Sequence, residues 1–195
     1  MTTKQKDLKV FVAGSRSLSR LSREVTRRID NILAKGFTVI VGDANGMDRA
    51  VQKYLRKHHY ERVIVYCMEN ACRNNEGNWE TREIKAPDAK RRDFAFFSCK
   101  DRAMAEAADF GLMLWDVESR GTLTNIVDLV RRGKLVVVYL APERAFVTLK
   151  EPEDVTKLRG KLDSATFLRI DQELQMQLQP AGRVHGQERE DSLLF

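Results

Sequence analysis

From Leu8 onward, short aliphatic runs alternate at regular intervals with amphipathic stretches, and this pattern restricts the chain to an α/β fold: an open, mainly parallel sheet with helices on both faces. The aliphatic runs predict strands at residues 9–13, 37–41, 62–66, 111–115 and 135–140. They are dense in Val, Ile, Leu and Phe and lack clean alternation, as strands buried on both faces do. Between the first two runs, Leu21, Val25, Ile29, Ile32 and Leu33 recur at helical spacing, and Gly36 closes a helix of about 14 residues. Further apolar stripes run through Met47, Val51, Tyr54 and Leu55, and through Leu123, Ile126, Val127 and Val130 up to Gly133. Residues 93–108 are also helical in character. Packing against the sheet accounts for all these stripes.

The alternation breaks between Cys67 and Lys90, where a polar segment with Arg73, Asn74, Asn75, Gly77, Asn78 and Trp79 reads as a long loop. A loop of this composition is expected to fold over the site as a lid, with Trp79 as a stacking wall for a nucleobase. A short helix is expected at residues 153–162. From Gln172 the chain turns rich in Gln, Glu and Arg, with Pro180 and Gly182, and reads as a poorly ordered tail or a docking segment. The expected organisation is one domain over residues 1–150 and a helical or poorly ordered C-terminal extension over 151–195.

Composition narrows the partners. Residues 1–150 hold 28 of the 34 basic and 19 of the 28 acidic residues, a surplus of nine positive charges, and the last 45 residues carry a net charge of −3. A basic body favours anionic partners: nucleotides, nucleic acid or acidic proteins. The densest basic patch is Arg82, Lys85, Lys90, Arg91 and Arg92. No apolar stretch approaches the roughly 20 residues of a membrane helix. The N-terminus lacks the apolar core of a secretory signal, so a cytoplasmic location and no membrane partner are expected. Cys67, Cys72 and Cys99 read as free thiols, and the pair 67/72 has no second pair at ligand spacing, so no metal is expected.

Ligands of open α/β sheets bind outside the carboxyl ends of the strands, and three such ends here carry small, polar turns. The first is Gly14-Ser15-Arg16, where a glycine allows close approach, a hydroxyl can donate, and a guanidinium offers a planar fork for a phosphate or carboxylate. The second is Gly42-Asp43-Ala44-Asn45-Gly46-Met47-Asp48, which opens a helix whose N-terminus favours an anion. Asp48 there either complements the helix dipole or meets a ligand hydroxyl. The third is Ser119-Arg120-Gly121-Thr122, followed by Asn125 on the next helix, where the two hydroxyls either cap the helix or hold a ligand. Lys100, Asp101 and Met104 occupy the helix that leads into the strand at 111–115.

Gly14-Ser15-Arg16, Gly42-x-Ala44-x-Gly46-x-Asp48, Lys100-Asp101-x-x-Met104 and Ser119-x-Gly121-Thr122-x-x-Asn125, in this order, resemble the SLOG superfamily of Rossmann-like proteins, which includes the DNA-processing protein A (SMF) branch and the LOG phosphoribohydrolases. The likeness spans about residues 8–141 and is strongest to a bacterial and phage branch with a Gly-Ser-Arg first turn. It implies a Rossmann-like sheet and a nucleotide site. LOG enzymes carry a catalytic glutamate where this chain has Asn125, and an arginine about where it has Lys100. An amide cannot act as a general acid or base, though it can bond a ribose hydroxyl.

The leading expectation is therefore binding of a nucleotide or a nucleotide-derived ligand, such as a nucleoside monophosphate or an NAD- or ADP-ribose-like molecule, in the manner of a sensor. No cofactor is needed beyond that ligand, and a homodimer is compatible with the reading. The alternative is a nucleotide N-glycosidase in which Asp101 or Asp116 replaces the missing glutamate. The second alternative is a single-stranded nucleic-acid-binding protein. The ligand-binding residues expected are Gly14, Ser15, Arg16, Gly42, Asp43, Gly46, Asp48, Lys100, Ser119, Gly121, Thr122, Asn125 and Trp79.

Overall fold

The computed structural model describes residues 7–85 and 94–161, with Leu168 and Gln172 beyond them. In chain order its elements are β1 (Lys9–Gly14), α1 (Arg23–Ala34), β2 (Thr38–Gly42), α2 (Met47–Lys57), β3 (Val63–Met68), β4 (Glu80–Ile84), α3 (Phe94–Ala107), β5 (Phe110–Trp115), α4 (Arg120–Arg131), β6 (Leu135–Leu140), β7 (Ala145–Leu149) and a 3₁₀ segment, Pro152–Lys161. The strands form one sheet in the order β4-β3-β2-β1-β5-β6-β7. All pairs are parallel except β6 with β7. This is the α/β, mainly parallel sheet that the aliphatic runs predict, in the Rossmann-like arrangement that the resemblance implies.

The period-two geometry of β1 sorts the core into two layers. Val10 and Val12 join Val25, Ile29 and Ile32 of α1 and Met47, Val51 and Leu55 of α2 on one face. Phe11 and Ala13 join Met104 and Ala105 of α3 and Leu123, Ile126 and Val130 of α4 on the other. α1 begins at Ser22, whose hydroxyl accepts the Val25 N–H at 3.4 Å.

Strand order locates the site. The chain builds outward from β1 through β2 and β3 to β4, then returns to the opposite side of β1 to lay down β5 and β6. The connections that leave β1 and β5 diverge, and the crevice between those carboxyl ends is where open α/β sheets bind ligands.

Two strands have no counterpart among the sequence-based expectations. β4 falls inside the segment read as a polar loop, because Glu80-Thr81-Arg82-Glu83 is an edge strand with exposed, charged side chains and no aliphatic run. β7 is the other edge, antiparallel and half-exposed. The expected short helix at 153–162 is the 3₁₀ segment, and its Val155 and Leu158 are buried in the α4 core layer. The tail after Gln172 and the basic residues Lys90, Arg91 and Arg92 lie outside the described residues. No described helix is long and apolar enough to cross a membrane, and the three cysteines are free thiols.

Candidate functional site

The turns after β1, β2 and β5 and the inward side of α3 enclose a cleft of about 740 Å³. Gly14, Arg16, Asp48, Lys100, Asp101, Asp116, Ser119, Gly121, Thr122 and Asn125 all line it.

The β1 and β5 turns are bolted together by side chains. Ser15 is fully buried, donating its N–H to the Leu114 carbonyl at 2.9 Å and its hydroxyl to Asp116 Oδ1 at 2.8 Å. The same hydroxyl accepts the Asp116 N–H at 3.1 Å. Asp116 Oδ1 also accepts the N–H groups of Glu118, at 3.0 Å, and Ser119, at 2.7 Å, and its other oxygen accepts the Ser17 hydroxyl. These bonds hold Val117 at φ +72°, a region that β-branched residues avoid. Burial works to raise the Asp116 carboxyl, but the Ser17, Ser119, Ser15 and Glu118 donors outweigh it and hold it below the ordinary value. This corrects two expectations. Ser15 does not line the cleft and spends its hydroxyl inside the fold. Asp116, expected as one of two carboxylates to stand in for the missing glutamate, is a clamp whose two oxygens both accept hydrogen bonds within the fold.

Ser119 is the N-cap of α4. Its hydroxyl accepts the Thr122 N–H at 3.4 Å and the Thr122 hydroxyl at 3.1 Å, so these two hydroxyls serve the helix end. The N–H groups of Arg120 and Gly121, in the first turn, have no intrahelical carbonyl to bond. One turn further along, Asn125 is 8% exposed, lines the cleft, and its carboxamide has no hydrogen-bond partner among the described residues.

Deeper in, the β2 turn meets α3. Asp48 and Lys100 are buried, and Lys100 Nζ donates to Asp101 Oδ1 at 2.7 Å. Asp48 Oδ2 accepts the Ala44 N–H at 3.2 Å. Gly42 makes room for this cluster, and Gly46, at φ +83°, begins α2 with its α-carbon packed against the Arg16 backbone. Burial raises the Asp48 carboxyl to about 6 against the pull of Lys100. Burial would lower Lys100, but the charges of Asp101 and Asp48 overcome it and hold the ammonium above its ordinary value. Asp48 is thus a carboxyl that takes up its proton at about pH 6 beside a cation.

Asp43 is 1% exposed and is taken by Arg73, which donates from Nη2 to Oδ1 at 2.7 Å and from Nε to Oδ2 at 3.1 Å, with its backbone N–H at 3.0 Å. Burial acts to raise this carboxyl too, yet Arg73, helped by Lys100, holds it below the ordinary value. Asp43 therefore fixes the 69–79 connection to the sheet and is not a free ligand contact, which corrects its assignment. The Arg73 guanidinium lies 4.8 Å from the Phe97 ring centre and that of Arg16 lies 5.8 Å from it. All three residues line the cleft.

Trp79 is in the wrong place for a stacking wall. It lies at the amino end of β4, 8% exposed among Val51, Leu55 and Val63, and donates its indole N–H to the Tyr60 carbonyl at 2.9 Å. Its backbone and Asn75 exchange two hydrogen bonds, so it anchors the connection at the end of the sheet away from the cleft. The half of the expected lid that reaches the cleft is Arg73. The aromatic side chain at the cleft is instead Phe97, which sits three residues before Lys100 on α3 and one turn along the same face. That spacing was the available signal. Arg120, Ser17 and Glu118 also line the cleft. No group of His, Cys, Asp and Glu among the described residues is arranged to hold a metal.

No family model matches this chain, and no curated protein matches it. Among solved structures it is similar to DNA processing protein A from Helicobacter pylori, described for its single-stranded DNA binding mode, with 14% identity over 87% of this chain and 81% of that chain, at a TM-score of 0.47.

Proposed function

We propose that the chain binds a phosphate-bearing, nucleotide-derived small molecule in the cleft between β1 and β5. The carrying observation is the convergence of two kinds of anion partner on one crevice: the open first turn of α4 at Arg120 and Gly121, and the Arg16 guanidinium at the mouth. Behind them the wall turns to hydrogen-bonding groups, Asp101, Asp48 and Asn125, suited to hydroxyls. Of the three glycines expected to contact the ligand at the β1 and β2 turns, Gly14 lines the cleft, while Gly42 and Gly46 make room for Asp48 with Lys100 and for the Arg16 backbone. A thermal-shift panel of nucleotides against their nucleosides tests the reading. Stabilisation by the phosphorylated members, with no change in the ligand on subsequent chromatography, supports a binding domain. No shift with any of them defeats it.

A second reading, cleavage of an N-glycosidic bond, draws support from one feature. Asp48, whose carboxyl burial raises to about 6, lines the same cleft as Asp101, and cleavage of a base from a sugar calls for a carboxyl that can hold a proton. Release of free base from adenosine monophosphate, lost in Asp48→Asn, would favour it; an intact nucleotide after prolonged incubation at saturating protein would remove it.

A further inference from the structure

Two of the three cysteines meet at the root of the 69–79 connection, outside the chemistry assigned to the cleft. Gly42 of β2 pairs with Tyr66 of β3. The next residues along the two strands, Asp43 and Cys67, therefore lie side by side at about the 4.8 Å spacing of neighbouring strands. Beyond β3 the chain turns back: the Ala71 N–H donates to the Met68 carbonyl at 3.0 Å, and the Arg73 N–H donates to Asp43 Oδ2 at 3.0 Å. Cys72, one residue before Arg73, is thereby carried to the end of β3. Its thiol is hydrogen-bonded with that of Cys67.

The two thiols differ in access. Cys67 is fully buried, whereas Cys72 is exposed. Burial, with the neighbouring Cys72 thiol, pushes the Cys67 thiol up to about 12. An oxidant arriving from solvent meets Cys72 first, and Cys67 reacts only with what Cys72 brings to it. Cys99 stands apart on α3, where its thiol donates to the Ala95 carbonyl at 3.5 Å and accepts from Arg102 Nη2 at 3.5 Å.

We propose that Cys67 and Cys72 form a reversible redox site that takes a low-molecular-weight disulfide as its oxidant. The Cys72 thiolate attacks one sulfur of that disulfide: a new S–S bond forms at Cys72, the oxidant's own S–S bond breaks, and one thiolate leaves. The Cys67 thiolate then attacks Cys72 Sγ, which forms the Cys67–Cys72 bond and expels the second thiolate. The two cysteines give up two electrons and two protons; the oxidant takes up both electrons and ends as two thiols. The resting contact between the cysteine thiols supplies the proximity that the second step needs. The bridge closes next to Arg73, which clamps Asp43 and lines the cleft.

Tryptic mapping after exposure to oxidised glutathione tests the proposal. Cleavage after Arg62 and Arg73 releases both cysteines in one peptide, with Cys99 in another. After alkylation under denaturing conditions, the wild-type 63–73 peptide should carry no alkyl group and weigh two hydrogens less than its reduced form. Dithiothreitol should restore it, and Cys99 should be alkylated throughout. Cys67→Ser, with its melting temperature recorded beside wild type, should stop at a glutathione adduct on Cys72. Cys72→Ser should leave Cys67 free to be alkylated. A wild-type peptide with both cysteines alkylated overturns the proposal. So does a glutathione adduct that persists on wild-type Cys72, or a bridge from either residue to Cys99.

Discussion

Asp48 and Lys100 share the space that Gly42 leaves open: a Cβ at position 42 would lie 2.4 Å from Asp48 Oδ2 and 3.0 Å from Lys100 Nζ. The glycine at the end of β2 is thus a requirement of the charged cluster beneath the cleft. Gly42→Ala must push two buried, mutually attracted groups apart, and should cost about 1–3 kcal/mol of stability. Chemical denaturation checks it, and a variant as stable as wild type would show that the cluster yields easily.

Lys100 is the cation between two carboxylates. Lys100→Met leaves Asp48 and Asp101 facing each other in a buried site, and should destabilise by about 3–5 kcal/mol at pH 8. The double variant Asp48→Asn/Lys100→Met removes one of the two orphaned charges and should recover part of that loss. Additive effects in the cycle would show that the two side chains do not couple.

Asp48 also gives a pH signature. Its carboxyl lies at about 6 in the fold against an ordinary 3.8, so the folded state holds the proton more tightly than the unfolded chain. The burial penalty is absent below about pH 4, grows as pH rises toward 6, and levels off above, reaching about 3 kcal/mol. Asp48→Asn, neutral throughout, lacks this slope. Its stability relative to wild type should therefore climb between pH 4 and pH 6.5 in urea titrations, whereas parallel profiles would place the Asp48 proton elsewhere.

Trp79 should be silent toward ligands and important for folding. Trp79→Ala opens a cavity in the layer shared with α2 and should cost about 3–5 kcal/mol. In a Trp115→Phe background, saturating adenosine monophosphate should leave Trp79 emission unchanged; quenching would bring the indole back toward the cleft.

The residues that could be read from sequence were those whose chemistry is local. The aliphatic runs of β1, β2, β3, β5 and β6 announce buried strands because both their faces are covered. Gly14, Gly42, Gly121 and their neighbours mark the carboxyl ends of those strands, where the fold rule puts ligands. β4 was hidden because an edge strand needs no aliphatic run, and with it the fate of Trp79, whose burial depends on the return of the 69–79 connection to the amino end of the sheet. The roles of Ser15, Asp43 and Asp116 depend on partners far along the chain: Ser15 meets Asp116 across β1 and β5, and Asp43 meets Arg73 across β2 and the connection after β3. Sequence identifies such residues as polar groups at the right rim, and only the assembled rim separates those already paired from those, like Asn125, still open to a ligand.

Arg16 and the open first turn of α4 converge on one cleft, an arrangement suited to phosphate. Phosphate recognition is checked by calorimetric titration of adenosine monophosphate and of adenosine into wild type and Arg16→Ala. Wild type should bind the monophosphate far more tightly than the nucleoside, and Arg16→Ala should weaken the monophosphate by about 1.5–3 kcal/mol, as for one lost charge-assisted hydrogen bond, with no effect on the nucleoside. Equal affinity for the two compounds in wild type, or equal loss of both in the variant, would contradict it.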